Sequence, residues 1–294
     1  MKILNYTFRT HLTFSEPVSD HDFVLRIQPQ STHTQTVLDS QAYVTPTTSI
    51  AQQTDGFGNK LLVGRISQPH ESFSFVSTGT VMVSDTEIDV KAADHIGMPR
   101  VTEPCWPIYL RDSERCVPGE KVRELVAVAL GNVDANTTPH KLACALSHQV
   151  HETMTYTPGA TTVDTTAEQA LELGTGVCQD YAHVLVAACR QAGIAARYVS
   201  GLLFGEGATH AWVEIHDGQR WRGLDPTHDC AADCSYIVIA HGRDFADCPI
   251  ESGILRGGAR QNQEMAMKNT AKNSMLLLKL NHYHGTIKDR ALNF

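Results

Sequence analysis

The feature that most constrains the fold is a glycine-framed stretch, Gly174-Thr175-Gly176-Val177-Cys178-Gln179-Asp180-Tyr181. From residue 177 to residue 188 the apolar residues recur at helical spacing. Gly193 follows where a left-handed C-cap would end such a helix. The pattern therefore predicts a tight turn that delivers Cys178 to the first turn of a helix.

The position of Cys178 favours a reactive thiol. At a helix N-terminus, unpaired backbone N–H groups and the positive end of the helix dipole lower the ordinary thiol pKa of about 8.5. The same N–H groups can stabilise the oxyanion that forms when a thiolate attacks an acyl carbon. The competing interpretation is that Cys178 is a small buried apolar residue, as most free cysteines are.

A predicted hairpin downstream supplies the groups that would activate this thiol. Residues 209–215 alternate as a strand, Asp217-Gly218 is a typical tight-turn dipeptide, and residues 220–226 return. If Asp217 and Gly218 are the two loop residues, the register places His210 directly opposite Asp225, with Cα atoms about 5.5 Å apart. A carboxylate there would hold the imidazole in one tautomer while the other ring nitrogen meets the thiol.

The same register assigns side chains to the two faces of the first strand. Trp212 and Glu214 are expected on the face of His210, and residues 211, 213 and 215 on the opposite face. We expect the Cys178 helix to lie against the His210 face, with its sulfur within about 4 Å of an imidazole nitrogen. A longer loop that shifted the register by one residue would separate His210 from Asp225 and exclude the triad.

Several ordered motifs resemble the bacterial transglutaminase-like proteins, and the resemblance covers roughly residues 1–268. The motifs are Gly-Val-Cys-Gln-Asp-Tyr-Ala-His at 176–183, Ala-Arg-Tyr-Val-Ser-Gly at 196–201, His-Ala-Trp-Val-Glu at 210–214, Leu-Asp-Pro-Thr at 224–227 and Gly-Arg-Asp-Phe-Ala-Asp at 242–247. The resemblance implies an α+β fold, with a papain-like or transglutaminase-like cysteine-enzyme core after an all-β N-terminal domain. It also implies that Cys178, His210 and Asp225 form a catalytic triad. Thr209 stands where the family usually has Ser.

The chain divides into four predicted segments. Residues 1–95 form a β-rich domain, because they contain short alternating runs typical of strands at 3–8, 23–27, 41–44, 60–66, 72–76, 80–83 and 87–90. Residues 96–118 are punctuated by prolines and form a linker. Residues 119–268 contain helical apolar stripes followed by strands, and form the catalytic domain. Thr165 and Glu168 have the spacing of a capping box and predict the start of a short helix before the Cys178 turn. Residues 269–294 are a C-terminal tail with an apolar run at 275–280. No role is assigned to the tail; an extra strand and a subunit contact are both open.

Composition excludes several classes of partner. The formal net charge is −8, the pI is near 6.0, and no basic stripe is visible, so a nucleic-acid partner is not expected. Residues 1–8 are interrupted by polar side chains and lack the apolar segment of a signal peptide. We therefore expect a cytoplasmic protein without membrane contact, whose cysteines are reduced. The sequence carries no indication of the oligomeric state.

Other residues near the motifs have weaker assignments. Gln179 is a candidate second oxyanion donor, and Trp212 is expected to shape the site or shield the imidazole from water. His228, Cys230 and Cys234 offer soft ligands in one segment and suggest a metal site. It is disfavoured because neither Cys-x-x-Cys nor a second spaced ligand pair is present. No metal or cofactor is expected.

The predicted chemistry is acyl transfer or hydrolysis of peptide or amide bonds through a Cys178 thioester. Hydrolysis is favoured because water, at about 55 M, competes well unless a site excludes it. Two alternatives stay open. One is a protein-glutamine transglutaminase or deamidase, and the other is a non-catalytic peptide-binding module. The expected partner is a protein or peptide substrate.

Overall fold

The computed structural model of the protein describes residues 1–84, 106–134, 136–272 and 285–290. A strand predicted at 87–90, residues 96–105 of the predicted linker and the apolar run at 275–280 lie outside these residues. Within the described part of the chain, strands form two main sheets, and the helices over residues 139–153 and 178–191 pack against the second sheet. None of the described helices is long and apolar enough to cross a membrane.

The N-terminal region is built on one long strand. Its strands are β1 (Lys2–Leu25), β2 (Gln35–Thr45), β3 (Ile50–Thr54), β4 (Lys60–Ile66) and β5 (His70–Val83). The first half of β1 pairs with β5 and its second half pairs with β4, with irregular register between residues 13 and 22. The sequence pattern predicted separate strands at 3–8 and 23–27. In the structure one strand runs through both, and the buried polar residue Thr10 continues its inward-facing side beyond the first apolar run.

The helical part of the chain follows. Its elements are α1 (Glu120–Gly131), α2 (Pro139–Thr153), β6 (Thr155–Tyr156), α3 (Ala167–Leu173), β7 (Thr175–Gly176) and α4 (Cys178–Gln191). Helix α3 begins at a capping box between Thr166 and Gln169, one residue later than the Thr165/Glu168 pair indicated by the sequence. Glu168 instead caps a different helix, because its carboxylate accepts three N–H groups around the start of α1, at 2.6 to 3.2 Å.

The second sheet has the strand order β11-β10-β9-β8-β12. Its strands are β8 (Ala196–Leu203), β9 (Thr209–His216), β10 (Trp221–Asp225), β11 (Cys230–Ala231) and β12 (Tyr236–Gly242). Gly193, with φ of +76°, follows the end of α4 as the sequence predicted. Apolar residues of α4 share one core with residues 211, 213 and 215 of β9, so the helix covers that face of the sheet.

The chain then returns to the N-terminal sheet. Strands β13 (Glu251–Arg256) and β14 (Gln261–Lys272) both pair with β1, and β15 (Gly285–Arg290) pairs with β14. The domain prediction assigned 251–268 to the catalytic segment and the rest to a tail. In the structure these strands extend the first sheet instead, because β1 is long enough to pair along both of its edges.

Two side-chain amides join the N-terminal region to the edge of the second sheet. Gln35 donates to the Val238 carbonyl and accepts from its N–H, both at 2.9 Å. Asn59 does the same with His241, at 2.8 and 2.9 Å. These amides satisfy backbone groups that β12, as an edge strand, would otherwise leave open. The N-terminal region is thereby fixed against the second sheet.

Candidate active site

Cys178 is the first residue of α4, as predicted. Val177 precedes the helix, and its N–H donates to the carboxylate of Asp180 at 2.8 Å. Thr161 also donates to that carboxylate, at 2.7 Å, so the first turn is held from two sides. The Cys178 side chain is partly buried against the core, whereas Cys116 is fully buried and burial raises the pKa of its thiol to about 12.

The His210 imidazole connects this cysteine to a buried carboxylate. Its Nε2 lies 2.7 Å from Oδ2 of Asp225, and the Cys178 side chain is near enough to the ring to raise the pKa of His210. Burial alone would lower the pKa of His210. The hydrogen bonds to Asp225 and Cys178 outweigh burial and raise that pKa to about 10. The structure thus brings together the three residues that the sequence predicted as a triad.

Asp225 is fully buried and accepts hydrogen bonds at both oxygens. His228 Nδ1 and the Tyr236 hydroxyl donate to Oδ2, each at 2.8 Å. The backbone N–H groups of Thr227 and His228 donate to Oδ1, at 2.9 and 3.3 Å. Burial would raise the pKa of this carboxyl, but donors led by His210 hold it well below its usual range. Asp225 is therefore an anion at neutral pH.

The hairpin register differs from the predicted one. The observed pairs run from His216↔Trp221 to Val213↔Leu224, and the N–H of Asp217 donates to the Arg220 carbonyl at 3.1 Å. The turn is therefore centred on residues 218–219, with Gly218 at a φ of +96°. The prediction that His210 and Asp225 are directly opposite was wrong, because moving the turn by one residue shifts every pair by two. A shift of two keeps side chains on their predicted faces.

The side of the sheet on which the helix packs also differs. Trp212 belongs to a cluster with Tyr236, separate from the core that α4 shares with residues 211, 213 and 215. The helix therefore covers the face opposite to Trp212, not the His210 face as predicted. Beyond Val213↔Leu224 the strands β9 and β10 are no longer paired. We attribute the contact between His210 and Cys178 to this opening, which lets the imidazole be reached from the helix side.

The two residues predicted to shape the site have clear positions. The Gln179 amide donates to the Val163 carbonyl at 3.3 Å, so it holds a neighbouring loop. The Trp212 ring stacks on His210, with ring centroids 6.3 Å apart and 21° between planes. Trp212 also lines a cavity of about 300 Å³ on its own face of the sheet, together with Trp221 and Tyr236. It therefore separates that cavity from the imidazole.

Three residues beside the site were not found by sequence reasoning. They are Glu206, Tyr236 and, as a partner of the aspartate, His228. Glu206 lies 3.4 Å from His210 Nδ1 and also 3.4 Å from His228 Nε2. Only His228 had a local signal, since an Asp-Pro turn commonly accepts N–H groups two and three residues later. Glu206 lies in a loop and Tyr236 on another strand, so no periodicity pointed to them.

The candidate metal site suggested by the sequence, His228 with Cys230 and Cys234, does not form among the described residues. Among the described residues, His228 groups with His210 and Asp225 as possible ligands, and neither Cys230 nor Cys234 joins them. The Cys230 sulfur instead lies 3.5 Å from the Tyr236 hydroxyl.

Comparison with known families decides the relationship. Residues 127–226 match the transglutaminase-like superfamily, and residues 4–82 match the bacterial transglutaminase-like N-terminal region. An uncharacterized protein of Mycobacterium tuberculosis is 31% identical over 68% of this chain and 70% of its own. This chain belongs to the transglutaminase-like superfamily. Its N-terminal domain is the bacterial transglutaminase-like type.

Further relatives support the fold of the whole chain. An uncharacterized protein of Mycobacterium leprae is 26% identical over 89% of this chain and 96% of its own. The crystal structure of a "Putative Cysteine Protease from Cytophaga hutchinsonii" superimposes with a TM-score of 0.73 over 97% of this chain and 98% of that one, at 22% identity. The transglutaminase-like fold therefore extends over both regions of the chain.

Proposed function

We propose that the protein is a cysteine-dependent acyl-transfer enzyme that hydrolyses peptide or amide bonds. The observation that carries the proposal is His210, which is hydrogen-bonded to the buried anion Asp225 and whose pKa is raised by Asp225 and by the neighbouring Cys178. The helix-borne cysteine and the histidine and aspartate of the sheet would form a papain-like α+β catalytic core. Cys178, His210 and Asp225 are its proposed catalytic residues.

The proton transfers follow from the hydrogen bonds. Nε2 of His210 faces Asp225, so Nδ1 is the nitrogen available to take the thiol proton of Cys178. The thiolate attacks the amide carbon, and the imidazolium returns the proton to the departing amine, leaving a thioester. Water then attacks the thioester while His210 takes its proton, which releases the acid and the free thiol. The Cys178 N–H is the proposed oxyanion donor.

Amine transfer is the second candidate, because a named relative points to it. A protein-glutamine gamma-glutamyltransferase of Pseudomonas aeruginosa is 31% identical over 52% of this chain, which corresponds to 27% of that protein. In that reaction a primary amine, rather than water, attacks the thioester. The substrate in either case is a protein or peptide.

One experiment separates these reactions. A peptide library is incubated with the enzyme, with and without a primary amine, and the products are read by mass spectrometry. Shortened peptides show hydrolysis, a gain of about 1 Da at Gln shows deamidation, and the mass of the amine minus ammonia shows transfer. Cys178→Ala serves as the control, and products that persist in this variant remove Cys178 from the reaction. Peptide binding without any product, with an unreactive Cys178, would instead support a non-catalytic binding module.

A further inference from the structure

One carboxylate oxygen of Asp225 has three hydrogen-bond partners. Its Oδ2 lies 2.7 Å from Nε2 of His210 and 2.8 Å from Nδ1 of His228. The Tyr236 hydroxyl donates to the same oxygen, also at 2.8 Å. A carboxylate oxygen offers about two lone-pair sites, so three donors compete for its charge. Tyr236 therefore shares with His210 the oxygen that orients the catalytic imidazole.

The Tyr236 side chain is fixed as a neutral donor. It is buried, and its ring makes a T-shaped contact with Trp212, with ring centroids 5.2 Å apart. Burial, together with the neighbouring Cys230 and Asp225, raises the pKa of Tyr236 far above its usual range. The hydroxyl therefore keeps its proton at neutral pH and donates it to the Asp225 carboxylate.

The anionic groups that face His210 favour the charged form of its ring. Although burial lowers the pKa of His210, Asp225 and Cys178 raise it to about 10. The Glu206 carboxylate lies 3.4 Å from Nδ1 of the same ring. A proton held this tightly is returned slowly to a departing amine, because a general acid works best when its pKa is near the operating pH. The reaction therefore benefits from a group that limits this affinity.

A hydroxyl at Oδ2 of Asp225 has this effect. Each hydrogen bond that the carboxylate accepts stabilises it as an anion, whether or not the imidazole beside it is charged. The carboxylate then gains less when the imidazolium forms. We propose that Tyr236 is a positioning residue of the reaction, which occupies Oδ2 of Asp225 and so limits the affinity of His210 for its proton. The effect on His210 is independent of the proposed function, whereas the effect on turnover rests on it.

The test is an NMR titration of the His210 ring in Tyr236→Phe, which removes the hydroxyl and keeps the aromatic ring. We expect the midpoint to rise by about 0.5–1 pKa unit, the equivalent of one neutral hydrogen bond. In an Asp225→Asn background the same substitution should move the midpoint much less, because no carboxylate charge is left to share. The matched control is Tyr6→Phe, which removes a buried, hydrogen-bonded hydroxyl of the N-terminal sheet. This variant should titrate like the wild type.

Peptide turnover by Tyr236→Phe supplies a second readout. The kcat should fall by up to about tenfold, the equivalent of one pKa unit, because a more tightly held proton is returned more slowly to the amine. The KM should stay unchanged, since the hydroxyl is bonded to Asp225 within the protein.

Three results would overturn the proposal. An unchanged midpoint in Tyr236→Phe would mean that the hydroxyl has no influence on His210. A lowered midpoint would mean that Tyr236 only holds Asp225 in place. A rise of equal size in the Asp225→Asn background would mean that the hydroxyl does not act through this carboxylate. If the midpoint rises as expected but the wild-type protein turns over no peptide, the coupling of Tyr236 to His210 stands and the proposed function fails.

Discussion

Replacing Asp225 with Asn tests how the histidine is held. The pKa of His210 is raised to about 10, from an ordinary value of 6.5, with Asp225 and Cys178 as the causes that raise it. A hydrogen bond to a charged group contributes about 1.5–3 kcal/mol. At about 1.4 kcal/mol per pKa unit, its loss corresponds to a fall of about 1–2 units. We therefore expect the His210 pKa to fall to between about 8 and 9 in Asp225→Asn.

The assay is an NMR titration of the His210 ring in the wild type and the variant. Peptide turnover should also fall by about 10³–10⁴, because the Asn amide can select the wrong tautomer, with little change in substrate binding. Asp229→Asn is the matched control. Its carboxylate raises the pKa of the exposed His148 and is not among the hydrogen-bond partners of His210 in the described residues, so the His210 titration should not move. An unchanged His210 midpoint in Asp225→Asn would show that Asp225 does not raise the pKa of His210.

Three further predictions concern stability and are measured by urea unfolding. Burial and a neighbouring imidazole lower the pKa of His21 to about 4. Between pH 6.5 and 4, His21 therefore binds a proton in the unfolded chain but not in the folded one. The free energy of unfolding should fall by up to about 3 kcal/mol across that window as the pH drops, and His21→Gln should flatten the dependence. Glu168→Ala should cost about 1–2 kcal/mol by uncapping α1, whereas the exposed Glu172→Ala should cost little. Asn59→Ala should cost about 2–4 kcal/mol by leaving two buried groups of β12 unpaired, and the exposed Gln53→Ala is its control. If Glu168→Ala and Glu172→Ala cost the same, the assignment of Glu168 as a cap of α1 is wrong. If Asn59→Ala and Gln53→Ala cost the same, Asn59 does not stabilise β12.

Local patterns predicted the cysteine helix well. Apolar spacing and Gly193 located α4, and the glycine-framed turn located Cys178 at its start. These signals suffice because helix periodicity and caps lie within a few residues of each other in the chain. The alternation of residues 209–215 likewise assigned Trp212 and its neighbours to the correct faces.

The register of the hairpin was not determined by short-range sequence signals. The sequence Asp217-Gly218-Gln219-Arg220 can place its two-residue turn at either of two adjacent positions, and turn propensity alone favoured the first. In the structure the Asp217 side chain accepts the N–H groups of Gln219 and Arg220, both at 2.9 Å, and pairs with Arg222. These contacts favour a turn one residue later. The observed pairs are shifted from the predicted ones by two residues, an even number, so His210 and Asp225 remain on the same face of the sheet.

The remaining partners of the site depend on tertiary structure. Glu206 lies near His210 from a loop, and Tyr236 donates to Asp225 from β12. No sequence periodicity connects either residue with His210. For the same reason the sequence did not show that β13 and β14 return to pair with β1.

The alkylation rate of Cys178 tests whether this cysteine acts as a thiolate paired with His210. The protein is treated with chloroacetamide between pH 5 and 10, and labelling at each cysteine is followed by mass spectrometry. Cys230 is the internal comparison, because it is accessible to the reagent and its pKa is raised, chiefly by the partial burial of its side chain. We expect Cys178 to react much faster than Cys230 at pH 6, where an ordinary thiol with a pKa of about 8.5 is almost wholly protonated. If the two cysteines react at similar rates with similar pH profiles, Cys178 is an ordinary thiol and the proposed mechanism is wrong.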